Sequence, residues 1–211
     1  DDFPCRLQRV VNWKWRDAEP EEGRYDFEGF RNAILKASEG GKYAIRASLI
    51  GSVYETRWYN SVRDHTIQRI EPGSGPLWLA NHNVPILSAG ANRSIPFHIF
   101  NYDIYHPEYH KRYMKLLEAF SKSGIPQMNE ITAAYVHLSS GSRGEEGSSP
   151  EIGSPQFPLY VERMETWAKC FGENAWKLNP ISYKPDDIQF TVGLGMGQRN
   201  GFVEHYMTHA K

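Results

Sequence analysis

Cysteine is scarce: Cys5 and Cys170 are the two in 211 residues. They stand far apart, fit neither a metal knuckle nor a Cys-x-x-Cys redox pair, and leave open one disulfide or two buried thiols. Excess charge is also missing, since 24 Lys and Arg meet 25 Asp and Glu for a formal net charge of −1. With a pI near 6.8 the chain has no bulk charge with which to grip a polyanion, and nucleic acid is not an expected partner. No stretch approaches the ~18 consecutive apolar residues of a helical membrane span, and mean hydropathy is −0.60, so no membrane partner is expected. No Gly-x-Ser-x-Gly follows a strand and no His-Glu-x-x-His occurs. Gly193-x-Gly195-x-Gly197 lacks both the third dinucleotide-spaced glycine and the Lys-Ser/Thr ending of a phosphate loop. No cofactor is expected.

What remains is ordinary globular composition, 40% hydrophobic and 23% charged, with 28 aromatics (six Trp, twelve Tyr, ten Phe). Many sit beside polar residues, as in Trp13-Lys14-Trp15-Arg16 and Arg57-Trp58-Tyr59-Asn60. Such rings suit flat polar ligands such as sugars, and equally suit a large core whose polar tips reach water. His106 and His110, like His205 and His209, stand at i, i+4 but have no glutamate placed as base. They read as surface or cap histidines, and no metal is expected. Asn92-Arg93-Ser94 is a glycosylation sequon, so an extracellular or cell-surface location is the expectation. The chain opens at Asp1, which points to a processed product or a piece of a longer chain.

Strand and helix signals alternate. Strands are expected at Leu7–Trp13, Tyr43–Ile50, Thr132–Leu138, Trp176–Ile181 and Gln189–Leu194. Helices are expected from Asp26 to Gly40-Gly41, over Pro107–Ser121, and over Pro158–Phe171 before Gly172. The pattern predicts an α/β fold of the (β/α)₈ TIM-barrel type in one domain or a fragment of one, incomplete at about five strands (2–6) where closure needs eight. Long loops follow strands at 51–101 and 139–158, and function is expected there, beyond the carboxyl ends of the strands.

The segment Trp15-x-x-x-Glu19-Pro20-x-x-Gly23-x-Tyr25-Asp26-Phe27 resembles the stretch after the second barrel strand in clan A glycoside hydrolases, including β-galactosidase-like and related sugar-barrel families. Two further pieces fit that frame over roughly Arg9–Gly147: Lys42-Tyr43-Ala44-Ile45-Arg46, and Tyr135-Val136-His137-Leu138 running into Gly141-Ser142-Arg143-Gly144-Glu145-Glu146. The resemblance implies an acid/base glutamate just after the fourth strand, hence Glu146 or Glu145, oriented by Arg143 and His137. The usual Asn before that glutamate is absent here. Asn129-Glu130 precedes its strand and belongs to the stability face.

Glycoside hydrolysis also needs a second carboxylate across the sugar ring. The resemblance implies one after the seventh strand, and Glu204 is the late carboxylate in a suggestive setting. Trp13, Trp15, Trp58, Tyr59 and Trp78 are the expected stacking platform, and Asn12, Arg46, Asn81, His82 and His98 the hydrogen-bonding set. The expected activity is cleavage of a glycosidic bond in a polysaccharide or galactoside, with a carbohydrate as substrate and other parts of a longer chain or assembly as partners. The alternative is a non-catalytic carbohydrate-binding or structural barrel without the nucleophile.

Overall fold

The computed structural model describes residues 7–61, 63–64, 66–91, 96–136, 150–173, 175–179 and 185–198. The chain opens with β1 (Gln8–Lys14), a single turn α1 (Trp15–Ala18), α2 (Glu28–Ser38) and β2 (Ala44–Ile50). Asp26 accepts a hydrogen bond from the Glu28 amide as α2 begins, and Glu39, left-handed at φ 47°, ends it before Gly40-Gly41. β1 and β2 pair in parallel with Val11 opposite Ala47 and Asn12 opposite Ser48.

Residues 51–101, expected as a loop, instead carry four strands: β3 (Val53–Tyr59), β4 (Ile67–Pro72), β5 (Ile86–Ala91) and β6 (Phe97–Tyr102). They form an antiparallel sheet in the order β4-β3-β6-β5, with a 3₁₀ segment at Leu77–His82. Then come α3 (Pro107–Lys122), β7 (Ile131–Tyr135), α4 (Phe157–Phe171), β8 (Trp176–Asn179), α5 (Pro185–Gly193) and β9 (Met196–Gln198). The expected strand at Gln189–Leu194 is therefore corrected to the last turns of α5 and the bend before β9. Ile188, Phe190, Val192 and Leu194 alternate with polar or small residues, which mimics a half-buried strand. Packing decides otherwise: Phe190 meets Phe157 and Tyr160 at 6.4 and 6.2 Å while Val192 is exposed. Gly195 at φ 72° turns the chain into β9.

The parallel strands lie in the order β1-β2-β7-β8-β9, which is their order along the chain and the succession of a (β/α) barrel. Among the described residues these five do not close on themselves. One sheet face packs on helices: Val11, Ile45, Ala47 and Leu49 are buried with Phe30 and Ile34 of α2. The other face is open at the β1 edge, where Val10 is 49% exposed, and closed toward β7, where Ala133 and Tyr135 are buried.

α3 buries Tyr109, Tyr113, Leu116, Leu117 and Phe120 along one face, at the spacing expected from sequence. It docks on α4 through Phe120 against Trp167 at 5.8 Å and through Trp167 Nε1, which donates to the Tyr113 hydroxyl at 3.2 Å. Cys170 is a buried thiol donating to the Leu117 carbonyl, and burial pushes its pKa up to about 11. Cys5 lies outside the described residues.

Candidate functional site

The motif at the end of β1 builds a box around one carboxylate. Glu19 is 2% exposed; its Oε2 accepts from Trp15 Nε1 at 2.7 Å, its Oε1 from the Gly23 amide at 2.8 Å, and Tyr25 also donates to it. Gly23, at φ 78°, supplies the left-handed turn that brings its amide back to Glu19. Burial outweighs these donors and raises the Glu19 pKa above the ordinary carboxylate range; burial and the nearby carboxylate push the Tyr25 phenol up to about 12. The Glu19 carbonyl accepts from Trp78 Nε1 at 3.1 Å, which ties the 3₁₀ segment to the same loop. Glu19 is thus a bonded hub, with three donors converging on its two oxygens.

Beside the hub lies a cleft of about 450 Å³ lined by Arg16, Asp17, Pro20, Pro76, Leu77 and Trp78. Arg16 is held there by its amide on the Ser74 carbonyl at 3.0 Å and by Nη1 on the Gly73 carbonyl at 3.3 Å. An apolar ring in fixed orientation beside a cation and a carboxylate suits a polyhydroxylated ligand.

A second polar group stands at the start of α3. Arg112 Nε donates to Glu22 Oε1 at 3.0 Å, Nη2 meets His82 Nδ1 at 2.8 Å, and Nη1 donates to the Glu108 carboxylate. His82 Nε2 lies 2.8 Å from Glu22 Oε2, so a neutral His82 accepts from Arg112 and donates to Glu22. The hydrogen bond from His82 holds Glu22 below the ordinary carboxylate range, and that from Arg112 does the same for Glu108. Both carboxylates are ionised acceptors rather than proton donors.

The expected site residues separate into groups. Asn12 and Arg46 share the sheet face opposite the helices, because Asn12 pairs across to Ser48 and Tyr135, and Val10 to Arg46 and Ala133. The Arg46 guanidinium lies 5.8 Å from the Tyr135 ring centre, and its buried Nε has no partner among the described residues. Trp78, Asn81 and His82 sit together on the 3₁₀ segment. Trp58, Tyr59 and His98 belong to the antiparallel sheet: Arg69 lies over the Trp58 ring at 4.5 Å, Phe97 packs on it at 4.9 Å, and His98 meets Tyr59 at 4.9 Å.

Trp15 and Trp13 are corrections to the stacking platform. Trp15 is 0% exposed, caged edge-on by Trp78, Tyr109 and Tyr113, so it offers no ring face to a ligand. Trp13 points to the helix side of β1, stacked on Phe30 at 5.6 Å and 5°, and Gly29 leaves room for it. Two residues from Val11, it shares Val11's face by strand alternation. Glu145, Glu146, His137, Arg143 and Glu204 lie outside the described residues. The segment carrying the first four leaves the carboxyl end of β7, one residue beyond Tyr135.

His106 caps α3 by accepting from the Glu108 amide, while His110 is buried against Arg163. Among the described residues no three His, Cys, Asp or Glu stand together as a metal site, and no helix is long and apolar enough to cross a membrane. Glu19 lies inside the recognised motif, but its role was not legible there. The Glu22–Arg112 contact spans 90 residues and has no local signal.

No family model and no curated protein sequence matches the chain. Among solved structures it is similar to an exo-β-1,4-mannosidase, Op5Man5, from Opitutaceae bacterium strain TAV5, at 13% identity and a TM-score of 0.42 over 83% of this chain and 25% of that one. It is also similar to endo-glycoceramidase II from Rhodococcus sp., in complex with a cellobiose-like imidazole, at 13% identity and a TM-score of 0.48 over 82% of this chain and 40% of that one. The chain spans a quarter and two fifths of their lengths, and likeness of this depth carries no residue-level correspondence.

Proposed function

We propose that this chain belongs to a carbohydrate-active protein of the barrel type, exported to the cell surface or beyond, that hydrolyses glycosidic bonds of a polysaccharide or galactoside. The observation that carries the reading is the Trp15–Glu19–Gly23–Tyr25 box, which fixes a cleft with a Trp78 wall and an Arg16–Asp17 floor at the carboxyl end of β1. Ligands of parallel α/β sheets bind at that end.

Glu146 or Glu145 is the acid/base, on the segment that leaves β7, with His137 and Arg143 orienting it. Its carboxylic proton passes to the glycosidic oxygen as the bond to the anomeric carbon breaks. A second carboxylate, for which Glu204 is the candidate within this sequence, acts in one of two ways. Either it attacks that carbon to give a glycosyl ester, which water then cleaves as the first glutamate takes the water's proton, or it draws the proton from a water that attacks directly. Glu145→Gln and Glu146→Gln in the full-length protein, assayed separately on a glycan panel, test this. Loss of turnover in one variant with glycan binding retained is expected; full activity in both overturns the assignment.

One observation favours a binding or structural barrel instead. Among the described residues, Glu19, the carboxyl with a raised pKa, is bonded on both oxygens, and Glu22 and Glu108 are paired to His82 and Arg112. Glycan binding without turnover in the intact protein would decide for that reading.

A further inference from the structure

The antiparallel sheet has an outer edge that the carbohydrate reading does not use. Among the described residues β4 ends the order β4-β3-β6-β5, and it is exposed along all six residues, with Ile67 46% and Ile70 52% accessible. A bulge opposite Trp58 and Tyr59 turns both isoleucines to one face, since Ile70 lies across from Arg57 and Ile67 across from Tyr59. The register also orients the backbone. Gly73 donates to the Tyr54 carbonyl at 2.8 Å, so Glu71 and Arg69 point their N–H and C=O groups at β3, while those of Ile70 point outward. Pro72 has only its carbonyl to offer on that outer side.

The bulge and Pro72 limit pairing at the two ends of this edge. That leaves residues 69–71 as the stretch open to a partner, and its charges are of opposite sign rather than like. Arg69 and Glu71 flank Ile70 with opposite signs, on one face, paired to each other at 3.1 Å, and Glu71 is held by Trp58 Nε1 at 2.9 Å. Read backwards about Ile70, the sequence presents the complementary charges.

We propose that β4 is a self-association strand, paired antiparallel with β4 of a second copy of this chain about a two-fold axis at Ile70. In that register the two Ile70 residues exchange both backbone hydrogen bonds and bring their exposed side chains together. Arg69 stands opposite the partner's Glu71, and Glu71 opposite the partner's Arg69. Six residues make a short seam, so the dimer is weak and concentration-dependent.

Sedimentation velocity of the full-length protein over a wide concentration range tests this, with the melting temperature of each variant followed in parallel. Reversible dimerisation is expected. Arg69→Glu places like charges across the seam and weakens dimerisation about tenfold or more, and the swap Arg69→Glu with Glu71→Arg restores it. Ile70→Lys, at a side chain already half in water, also dissociates the dimer and covers the case in which Arg69→Glu disturbs the Trp58 packing. A protein that stays monomeric throughout, or a dimer indifferent to both Arg69→Glu and Ile70→Lys, overturns the proposal.

Discussion

Glu19→Ala probes the hub on which the candidate cleft rests. The wild-type carboxylate, 2% exposed, accepts from Trp15 Nε1 at 2.7 Å and the Gly23 amide at 2.8 Å, and Tyr25 donates to it as well. Gly23 is exposed and Tyr25 half-buried, so both find water when the acceptor goes. Trp15 is wholly enclosed, and its indole N–H is stranded. An unmet buried donor costs about 1–3 kcal/mol, and the emptied side-chain volume adds to it, for a loss of roughly 2–4 kcal/mol. That is a large share of the about 5–15 kcal/mol that holds a domain together.

Urea unfolding with an unchanged slope measures the loss. A Glu19→Ala midpoint corresponding to less than about 0.5 kcal/mol would refute the hub, since surface changes away from such features fall in that range. Glu19→Gln adds a sign test. The folded Glu19 carboxyl holds its proton more tightly than the unfolded one, because burial raises its pKa. Its favourable contribution is complete below the unfolded pKa of about 4.3 and is lost as pH rises through the folded value. The wild-type margin over Glu19→Gln should therefore shrink with rising pH across that window.

His110 gives a pH dependence of opposite sense. Its Nδ1 accepts from Arg163 Nε at 3.1 Å and its Nε2 meets Glu162 at 2.7 Å; burial, then Arg163, lowers its pKa. A folded pKa below the unfolded value of about 6.5 gives stability that is present above that pH and is lost as pH falls through the folded value. The unfolding midpoint should drop over that range, and His110→Gln should flatten the slope; an unchanged slope refutes it. At Gly29 a Cβ would stand 2.7 Å from the Trp13 ring, so Gly29→Ala should cost about 1–3 kcal/mol by overpacking, read as a lower melting temperature. A neutral or stabilising effect would mean that Trp13 moves freely.

The helices α2, α3 and α4 and the strands β1, β2 and β7 were legible because each buries one face, and a repeating apolar pattern records which face that is. The sheet inside residues 51–101 also left a trace, in Val53-Tyr54-Glu55-Thr56-Arg57-Trp58-Tyr59 and Phe97-His98-Ile99-Phe100. Its half-exposed strands mix polar residues into the run and blur the alternation, so turn-rich composition reads as loop. The motif from Trp15 to Phe27 marked where a site would lie, but not that Trp15 and Glu19 would serve the interior.

The amino-acid order alone determined the helices α2, α3 and α4, the strands β1, β2 and β7, and the lack of any apolar run long enough for a helical membrane span. Those are local properties of period, charge and turn chemistry. Only the tertiary structure decided that Trp13 and Trp15 face inward, that Arg112 joins Glu22 to His82 across 90 and 30 residues, and that residues 185–193 coil as a helix. Each depends on which residues from distant parts of the chain come to lie alongside, and burial against those neighbours outweighs the local preference of any short segment.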